Sequence, residues 1–551
     1  MGIRDIMAKE DNITISLDAA KKNWHWIALG LILAFGLYLR SYHLDYPVVG
    51  YHNWKESRYL QESRNFAENG FFEHGFFIAE HDYPTLKEDS SGAHGGEFPS
   101  LPILISIFFM IFGEGILLAR IIILLLGLGC IAAMYLLVRA LFEREDLALA
   151  SAFAVAMMPL FVFFTHNVQQ VNISLFLMLI GAYFYVRWVK KDSGRDMILS
   201  ALFIMLAGIT KYDFLVIGIP MLFIFPWKRL IKLKKLSSYA YPYIASAAIF
   251  LLIIVQYIYF NIYIPSRTSA SAVSSKLIDV SVIFTSQWWT AMRAYTADNY
   301  TILGFVFALF GIGFFLLFYR KTLGYRFMAG YLAGVILYFF IMASKMGGHS
   351  YHQFAIAPFF AFMIAYCFVV VATNISKMMK AKQLKPAIVI VLFLILYFPS
   401  TQAWERQFNT QFYGLDVAGK YINEHSDPDE RIIHSGHQDY GLLWYADRKS
   451  TGGGVPSLED IRMAEQDLNV RWIFLYQWGF SVMQDQERWD YIKEHYSLRQ
   501  IGLLNQKPLY MLFEKGGSFN ESMLQNITGR PDQKAYELTK GDVVMQWIDF
   551  D

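Results

Sequence analysis

Charge and cysteine are both scarce in this sequence. Only 17% of its 551 residues are charged and 55% are hydrophobic, whereas soluble domains are typically about 25% charged. The formal net charge is +2, so no overall field favours a nucleic acid partner. Both cysteines, Cys130 and Cys367, lie within apolar runs, which argues against a disulfide framework or a zinc site. The composition therefore indicates a lipid bilayer as the main solvent.

Metal-ligand spacings and internal repeats are also missing. Three histidines, His52, His349 and His352, lie in polar segments, but their spacing is not one that metal sites use. No repeat of solenoid type is found. The sequence therefore predicts no cofactor, and a divalent metal stays open as an alternative.

Long apolar runs fill most of the first 400 residues. A run of about 20 residues suffices to cross a bilayer, and the run 197–225 is too long for one helix, so we expect it to turn at 210–213. About 11 spans result, with the two chain ends on opposite sides of the membrane. The runs are 24–42, 115–141, 147–166, 170–189, 197–225, 239–264, 300–319, 326–344, 352–375 and 386–400.

Every second loop between these runs is basic, which sets the orientation because cytoplasmic loops carry an excess of Lys and Arg. We therefore predict a multi-pass protein of the cell (plasma) membrane with a cytoplasmic N-terminus and an extracytoplasmic C-terminal domain. The basic loops contain Lys190, Lys191 and Arg195, then Lys228, Arg229, Lys232, Lys234 and Lys235, then Arg320, Lys321 and Arg326, and finally Lys377, Lys380, Lys382 and Lys385.

The C-terminal part has a different composition. Short β-like runs at 431–433, 472–476 and 510–513 alternate with polar helical stretches at 458–469 and 484–496. This alternation predicts a small α/β domain. We expect two domains, which are a transmembrane domain at 1–400 and an extracytoplasmic α/β domain at 405–551.

The first external loop, 43–114, is long and rich in polar groups, and a loop of this length is usually functional or disordered. Glu56, Tyr59, Glu62 and other residues recur at helical spacing, so 54–68 is predicted as a helix on the membrane surface. The apolar stretch 99–113 is too short to span and predicts a second interfacial helix.

Four short segments, all on the predicted external side, carry the chemically active residues. The segments are Tyr51-His52-Asn53-Trp54-Lys55-Glu56-Ser57-Arg58-Tyr59, Glu97-Phe98-Pro99-Ser100-Leu101-Pro102 with Ala119-Arg120, Gly208-Ile209-Thr210-Lys211, and His349-Ser350-Tyr351-His352-Gln353. They resemble the GT-C superfamily of membrane glycosyltransferases, in the lipid-phosphate-sugar branch that includes protein O-mannosyltransferases and lipid A aminoarabinose transferases. The likeness in architecture covers about residues 1–400.

This resemblance implies an α-helical, GT-C-like membrane fold and a glycosyltransferase activity. A sugar would move from a polyprenyl-phosphate-linked donor to an acceptor (glycan, lipid or protein) on the external face. The family analogy also implies an inverting displacement with no covalent enzyme intermediate. The expected partners are this donor, an unidentified acceptor and the bilayer.

Such a transfer needs a base for the acceptor proton and cations for the departing phosphate. Glu56 is the best base candidate, and His52 and Glu97 are the further catalytic candidates. The family usually has Asp-Glu where this chain has Lys55-Glu56, so the acids Glu62, Glu80 and Asp82 also compete for the role of base. The candidate donor-phosphate residues are Lys55, Arg58, Lys211, Lys345, His349 and Tyr351.

Two other classes of function stay open. A transporter or flippase tends to have ionisable groups at mid-membrane, whereas the ionisable residues here cluster at the ends of spans and in external loops. A non-catalytic lipid-glycan-binding subunit is favoured by the missing family acid at Lys55.

Overall fold

The computed structural model of the protein describes residues 17–80, 93, 95–231, 233–267, 279–525, 527, 528, 530–537 and 544–550. Within these residues the chain is mainly helical, as its apolar runs predict, and strands occur in the C-terminal part. Asp82, one of the predicted alternative bases, lies outside the described residues.

The helices of the described residues are numbered in chain order. The first ten are α1 Leu17–Arg40, α2 Asn53–Asn69, α3 Ser100–Phe112, α4 Ile116–Phe142, α5 Glu145–Met157, α6 Pro159–Phe164, α7 Gln170–Lys191, α8 Gly194–Thr210, α9 Gly218–Ile224 and α10 Trp227–Ile231. The others are α11 Leu233–Ile258, α12 Ser286–Asn299, α13 Ile302–Leu317, α14 Leu323–Ile341, α15 Ala343–Gly348, α16 Ala357–Met378, α17 Leu384–Phe408, α18 Leu415–His425, α19 Gly441–Ala446, α20 Leu458–Asp467 and α21 Gln486–His495.

Several of these helices can cross a membrane, and the chain is a multi-pass membrane protein. By length and composition, six helices qualify within the described residues, and the bent pair α12 and α13, which meet at 92°, raises the number to seven. The predicted count of about 11 is not confirmed. Several helices in other predicted spans are shorter than the roughly 20 residues that cross a bilayer, such as α8 with 17 residues and α5 with 13.

The apolar run 197–225 is broken where the sequence predicts a turn. α8 ends at Thr210, Lys211 is extended with a φ of −158°, and a 3₁₀ helix Tyr212–Ile217 leads into α9. The break ends α8 at a buried position and places a charged side chain, Lys211, beside the loop that precedes α3.

Both helices predicted in the first external loop are present as α2 and α3. Eleven of the 17 residues of α2 are buried, among them charged and polar side chains such as Glu56, Gln61 and Glu62. Burial of so many polar groups needs partners, and α2 finds them in the transmembrane helices below it and in the C-terminal part above it.

The C-terminal part contains a seven-stranded mixed sheet in the order β2-β1-β3-β5-β4-β7-β6. β1 pairs in parallel with β2 and β3, and the other pairs are antiparallel. The predicted β runs form β1, β3 and β5, and the predicted helical stretches form α20 and α21. The strands are β1 Arg431–His434, β2 Ser450–Gly453, β3 Val470–Tyr476, β4 Tyr496–Leu504, β5 Lys507–Lys515, β6 Lys534–Glu537 and β7 Val544–Asp549.

Each face of this sheet has its own apolar core, because side chains alternate between faces along a strand. Ile433 and Ile473 belong to the cluster that includes residues of α20 and α21. Ile432 and Trp472 belong to the other cluster, which includes residues of α18 and α19 together with Trp54 of α2. The second face therefore joins the α/β part to the membrane part.

Hydrogen bonds across this junction hold α2 against the C-terminal part. Ser57 Oγ donates to the carbonyl of Tyr440 over 2.7 Å, and Asn53 Nδ2 donates to the carbonyl of Gln438 over 2.9 Å. Farther along α2, the guanidinium of Arg64 binds both carboxylate oxygens of Glu114 and one of Asp447, and it stacks 4.0 Å from the ring centre of Trp444. The boundaries of the two predicted domains stay a prediction.

A buried ion pair joins α2 to the transmembrane helix α4. Arg120 Nε lies 2.9 Å from Glu56 Oε1, and Nη2 lies 3.1 Å from Oε2. Arg120 Nη1 also donates to the carbonyls of Leu44 and Tyr46, in the segment between α1 and α2. The Glu56 and Arg120 side chains are only 3% and 5% exposed, so each charge depends on the other for its burial.

Glu56→Ala is expected to destabilise the protein, because it leaves the guanidinium of Arg120 buried without a carboxylate. Removing one partner of a buried pair typically costs about 3–5 kcal/mol. The measurement is the thermal unfolding midpoint of the purified protein in detergent, with Glu424→Ala, an exposed acid of α18, as the control. Equal midpoints for the two variants would show that the pair contributes nothing to folding.

Candidate functional site

One face of α2 carries four polar side chains at helical spacing: Lys55, Arg58, Tyr59 and Glu62. Arg58 Nε donates to Glu62 Oε1 over 2.8 Å, as an i,i+4 pair does. The Lys55 amine lies 4.5 Å from the ring centre of Trp54 and 5.9 Å from that of Tyr59. The spacing predicted from the sequence therefore brings two cations, one acid and two rings to one place.

The loop before α3 and the end of α8 add an ion pair to this face. Lys211 Nζ lies 3.0 Å from Glu97 Oε1, and both side chains are largely buried. The backbone N–H of Phe98 donates to the carbonyl of Ile209 over 2.9 Å, which ties the loop to the end of α8. Two segments more than 100 residues apart in the chain thus supply a carboxylate, from Glu97, and an ammonium group, from Lys211, to the site.

The segment after α15 forms the opposite wall. The ring centre of Tyr351 is 5.9 Å from the amine of Lys55 and 5.8 Å from that of Lys211. The ring of His349 is stacked on Tyr351 at 5.3 Å between centres. Both predicted donor-phosphate residues of this segment therefore lie at the same site as the two lysines.

A second buried pair lies beside Lys211. His352 Nδ1 is 3.1 Å from Asp213 Oδ2, and the two side chains are 8% and 9% exposed. Lys345, in the last turn of α15, is half-buried, and its positive charge acts on both members of this pair. Lys345 therefore lies within electrostatic reach of Asp213 and His352.

The pKa values of Lys55 and Lys211 are shifted in opposite directions. Burial, together with the charges of Arg58 and Lys211, lowers the pKa of Lys55 to about 7. Burial would also lower the pKa of Lys211, but the carboxylates of Glu97 and Asp213 outweigh it and raise that pKa. Burial would raise the pKa of Glu97, but Lys211 and Lys55 hold it below its usual value. Lys211 and Glu97 are thus both charged, whereas Lys55 titrates near neutral pH.

The site contains three cationic side chains, and acidic side chains of the described residues contact only two of them directly. Arg58 is paired with Glu62, and Lys211 is paired with Glu97. In the part of the chain that the structure describes, the Lys55 amine makes neither an ion pair nor a hydrogen bond to another side chain. An anion entering beside Lys55 would therefore find a charge that no acid of the described residues neutralises.

Glu56, the predicted base, is turned away from this cluster. Both of its oxygens are bound by Arg120, and the backbone N–H of Val168 is 3.4 Å from Oε1. Its carboxylate therefore holds the structure together at this position, next to the small cavity lined by Tyr51 and Asn167.

His52 lies immediately before α2, in the left-handed backbone region with a φ of 65°. Its ring is 5.4 Å from that of Tyr351 and 5.8 Å from that of His349. Both ring nitrogens are buried, and neither has a hydrogen-bond partner among the described residues. Burial, and then the neighbouring charges of His349 and Lys55, hold the pKa of His52 well below its usual value, so the ring is neutral.

The C-terminal part also contributes to the site. The ring of His437 lies 4.3 Å from that of Trp54, and burial followed by the charge of Lys55 lowers the pKa of His437 to about 4. Sequence reasoning did not find this residue, because nothing in the order of the chain relates it to α2.

Asp213 is the second residue that sequence reasoning passed over. The sequence predicts it only as part of a turn, yet it supplies the carboxylate for His352 and adds to the negative charge around Lys211. A signal was available, since an acid two residues after Lys211 interrupts the apolar run 197–225. No group of three or more His, Cys, Asp or Glu side chains arranged to hold a metal ion occurs within the described ranges.

Lys55→Met is expected to be more stable than the wild-type protein at pH 6, with a difference that shrinks towards pH 10. The folded state binds fewer protons than the unfolded state between the lowered pKa of about 7 and the usual value of 10.5, so wild-type stability rises with pH in that window. Unfolding midpoints at pH 6, 8 and 10 check this, with Lys507→Met, an exposed lysine, as the control. A difference that does not change with pH would contradict it.

Comparison with known proteins adds three findings. A family model described as "Dolichyl-phosphate-mannose-protein mannosyltransferase" matches residues 96–260. Among solved structures, apo ArnT from Cupriavidus metallidurans is similar with a TM-score of 0.50 and 14% identity, covering 90% of this chain and 98% of that one. No curated protein matches the sequence.

Two further structures are similar at lower scores. ArnT from Cupriavidus metallidurans bound to undecaprenyl phosphate has a TM-score of 0.49 and 13% identity, covering 89% of this chain and 98% of that one. The arabinofuranosyltransferase AftD from Mycobacteria has a TM-score of 0.47 and 10% identity, and the match covers 91% of this chain but 40% of AftD.

The family model covers Glu97, the broken helix at Lys211 and the membrane helices between them. The apo ArnT likeness extends the shared fold over 90% of the chain. This protein therefore has the ArnT-like GT-C fold, and its residues 96–260 match the family model of dolichyl-phosphate-mannose-protein mannosyltransferases.

Proposed function

We propose that this protein transfers a sugar from a polyprenyl-phosphate-linked donor to an acceptor on the external face of a plasma membrane. The observation that carries the proposal is the cluster of Lys55, Arg58 and Lys211, with Tyr351 between the two lysines and no acid of the described residues paired to Lys55. A phosphate is the anion that such a cluster recognises best, since charge-assisted hydrogen bonds from Lys and Arg are the strong ones.

The lipid part of such a donor suits the position of the cluster. Lys211 ends α8, and α3, with 13 mostly apolar residues, begins three residues after Glu97. A polyprenyl chain would lie in the bilayer beside these helices while its phosphate reaches the lysines. ArnT, whose apo structure shares this fold, has also been solved with bound undecaprenyl phosphate. A donor that carries a polyprenyl phosphate is consistent with that observation.

We assign the role of base to Glu97. The acceptor hydroxyl or amine attacks the anomeric carbon, the bond from that carbon to the phosphate oxygen breaks, and its electron pair stays on the phosphate. The acceptor proton passes to the carboxylate of Glu97. Lys211 now holds this carboxylate at 3.0 Å. A donor phosphate that competes for Lys211 would weaken this pair and raise the pKa of Glu97, making it a better base when the donor is present.

The other predicted residues take supporting roles in this proposal. Lys55 and Arg58 neutralise the departing phosphate with Lys211, and Lys345 and His349 line its approach. The neutral ring of His52, whose nitrogens have no partner among the described residues, is available to a hydroxyl of the sugar or acceptor. Glu56 is proposed to act through Arg120, by orienting α2.

The orientation of the chain in the membrane is part of the proposal. Lys190, Arg320, Lys377 and Lys385, from four loops or helix ends, line one cavity at the end of α4 that is opposite to Arg120. Since an excess of basic residues favours the cytoplasmic side, we assign that end to the cytoplasm. The catalytic cluster and residues 405–551 then lie outside.

A non-catalytic lipid-phosphate-binding role is the second candidate. It is favoured by one specific observation: Glu56, Glu62, Glu97 and Asp213 are all ion-paired, while Lys55 occupies the place of the family's acid. Such a protein would bind the donor and release nothing.

Release of polyprenyl phosphate tests the proposal. Purified protein is given a panel of polyprenyl-phosphate sugars with a cell lipid and protein extract as the source of acceptors. Glu97→Gln is expected to slow release by about 100-fold or more, since removal of a general base typically costs that much. Glu56→Gln is expected to slow release less than Glu97→Gln does. Glu424→Gln, which changes an exposed residue of α18, is expected to leave the rate of release unchanged.

Two results would contradict the assignment. Release that survives Glu97→Gln but is lost in Glu56→Gln would return the role of base to Glu56. Donor binding without release from any sugar or extract would favour the binding role, and in that case binding should still weaken in Lys55→Met.

Release is also expected to continue when divalent metals are removed. Three cationic side chains surround the proposed phosphate position, so a metal is not needed to neutralise it. The measurement is the initial rate of release with and without a chelator. A rate that falls in the chelator and returns with added magnesium or manganese would show that the lysines and Arg58 do not suffice.

A further inference from the structure

A large cavity lies at the end of the helices far from the catalytic cluster. Its volume is 740 Å³, which is within the range of ligand sites. α4 runs from Arg120, at the external site, to Phe142, on the cavity wall, over 22 residues. At 1.5 Å per residue this separates the two places by roughly 33 Å, about the thickness of a bilayer. The cavity is therefore no part of the proposed donor site.

Its polar lining is strongly basic. Five cationic side chains line it, contributed by different helix ends, and they are Arg144, Lys190, Arg320, Lys377 and Lys385. Among the described residues of the lining, the one acid is Glu143, which binds Lys190 over 2.6 Å. Asp146, just outside, binds Arg144 over 2.7 Å and Lys385 over 2.5 Å. Two acids thus account for three of the five cations.

The other two cations are Arg320 and Lys377. Neither side chain makes an ion pair or hydrogen bond within the described part of the chain, and both are exposed. They come from different elements of the cavity wall, one between α13 and α14 and the other at the end of α16. A ligand with negative charge would bring both into contact with a single group.

The rest of the lining is largely apolar, which decides what kind of anion fits. Among the apolar side chains are Leu141, Leu147, Phe318, Leu323 and Val369. Phe318 is 50% exposed, and its neighbour Leu317 is 77% exposed at the end of the membrane helix α13. The cavity is thus continuous with a surface that faces lipid, so an acyl chain could leave it towards the bilayer.

Two tyrosines complete the polar end. The hydroxyls of Tyr325 and Tyr366 are 2.8 Å apart, and both residues line the cavity. One of the two hydroxyls donates to the other, which leaves one donor free for an acceptor oxygen. Thr373 and Asn374 add further polar groups to the same wall.

We propose that this cavity binds the headgroup of an anionic phospholipid from the cytoplasmic leaflet. The phosphodiester would lie between Arg320 and Lys377, and the acyl chains would run past Phe318 into the bilayer. Basic pockets between membrane helices on this side are suited to anionic headgroups, and each nearby Lys or Arg contributes attraction to the anionic leaflet. The bound lipid would tie together the ends of α13, α14 and α16.

The test measures binding of phosphatidylglycerol to the purified full-length protein by native mass spectrometry and by the shift in its unfolding midpoint. The variant is Arg320→Ala/Lys377→Ala. Its matched control is Lys321→Ala/Lys382→Ala, which removes the same charge from exposed positions outside the cavity lining. With two cations lost, phosphatidylglycerol is expected to bind about 30-fold more weakly to the variant, and the control should bind as the wild type does.

Further ligands in the same measurement distinguish binding of a lipid phosphate from binding of a soluble phosphate. Phosphatidylcholine, glycerol phosphate and inorganic phosphate should each give a smaller shift than phosphatidylglycerol. Equal shifts with the soluble phosphates would overturn the assignment to a lipid. Equal weakening in the variant and the control would overturn the assignment to this cavity.

A charge-preserving variant guards against misfolding. Arg320→Lys/Lys377→Arg keeps both positive charges and should retain most of the binding. Loss of binding in this variant as well, with an unchanged elution volume on size exclusion, would contradict a site that recognises charge.

Discussion

The buried pair of Arg120 and Glu56 is the contact on which the candidate site depends. Successive residues of an α-helix point about 100° apart, so fixing Glu56 against α4 also fixes the direction of its neighbour Lys55. Arg120 further holds the carbonyls of Leu44 and Tyr46, which set where the chain enters α2. Glu56 thus acts as an anchor, and the face of α2 that carries Lys55 and Arg58 turns towards the site.

Charge balance explains why the site is suited to a phosphate. Its acids are each engaged by a cation or an imidazole, as in the pairs of Glu97 with Lys211 and Asp213 with His352. Lys55 is left over among the described residues, and its pKa of about 7 reflects the cost of burying a charge that no acid contacts directly. An arriving anion would restore that charge, and by drawing on Lys211 it would also release Glu97. In the proposed mechanism, donor binding and base activation are therefore linked through Lys211.

The polar side chains at the two ends of the membrane helices differ in type and charge. The end near Arg120 combines acids, imidazoles and lysines in one enclosed cluster, which is the combination that the proposed proton transfer beside a leaving phosphate requires. The other end has a basic cavity with an apolar wall and few acids, which suits holding an anionic group without reacting with it. α4 connects the two, since Arg120 lies near one end and Phe142 at the other.

Periodicity and composition determined much of this protein: the apolar runs, the helices of the first loop, the break at 210–213 and the strands β1, β3 and β5 follow from local patterns. Most residues of the cluster were also predicted, because they lie in polar segments between the apolar runs. Which of these side chains pair with one another was decided only by the tertiary structure. Glu56 meets Arg120 across 64 residues of chain, and His437 reaches Trp54 from the C-terminal part. Which charges pair depends on distances between segments, and no local pattern contains those distances.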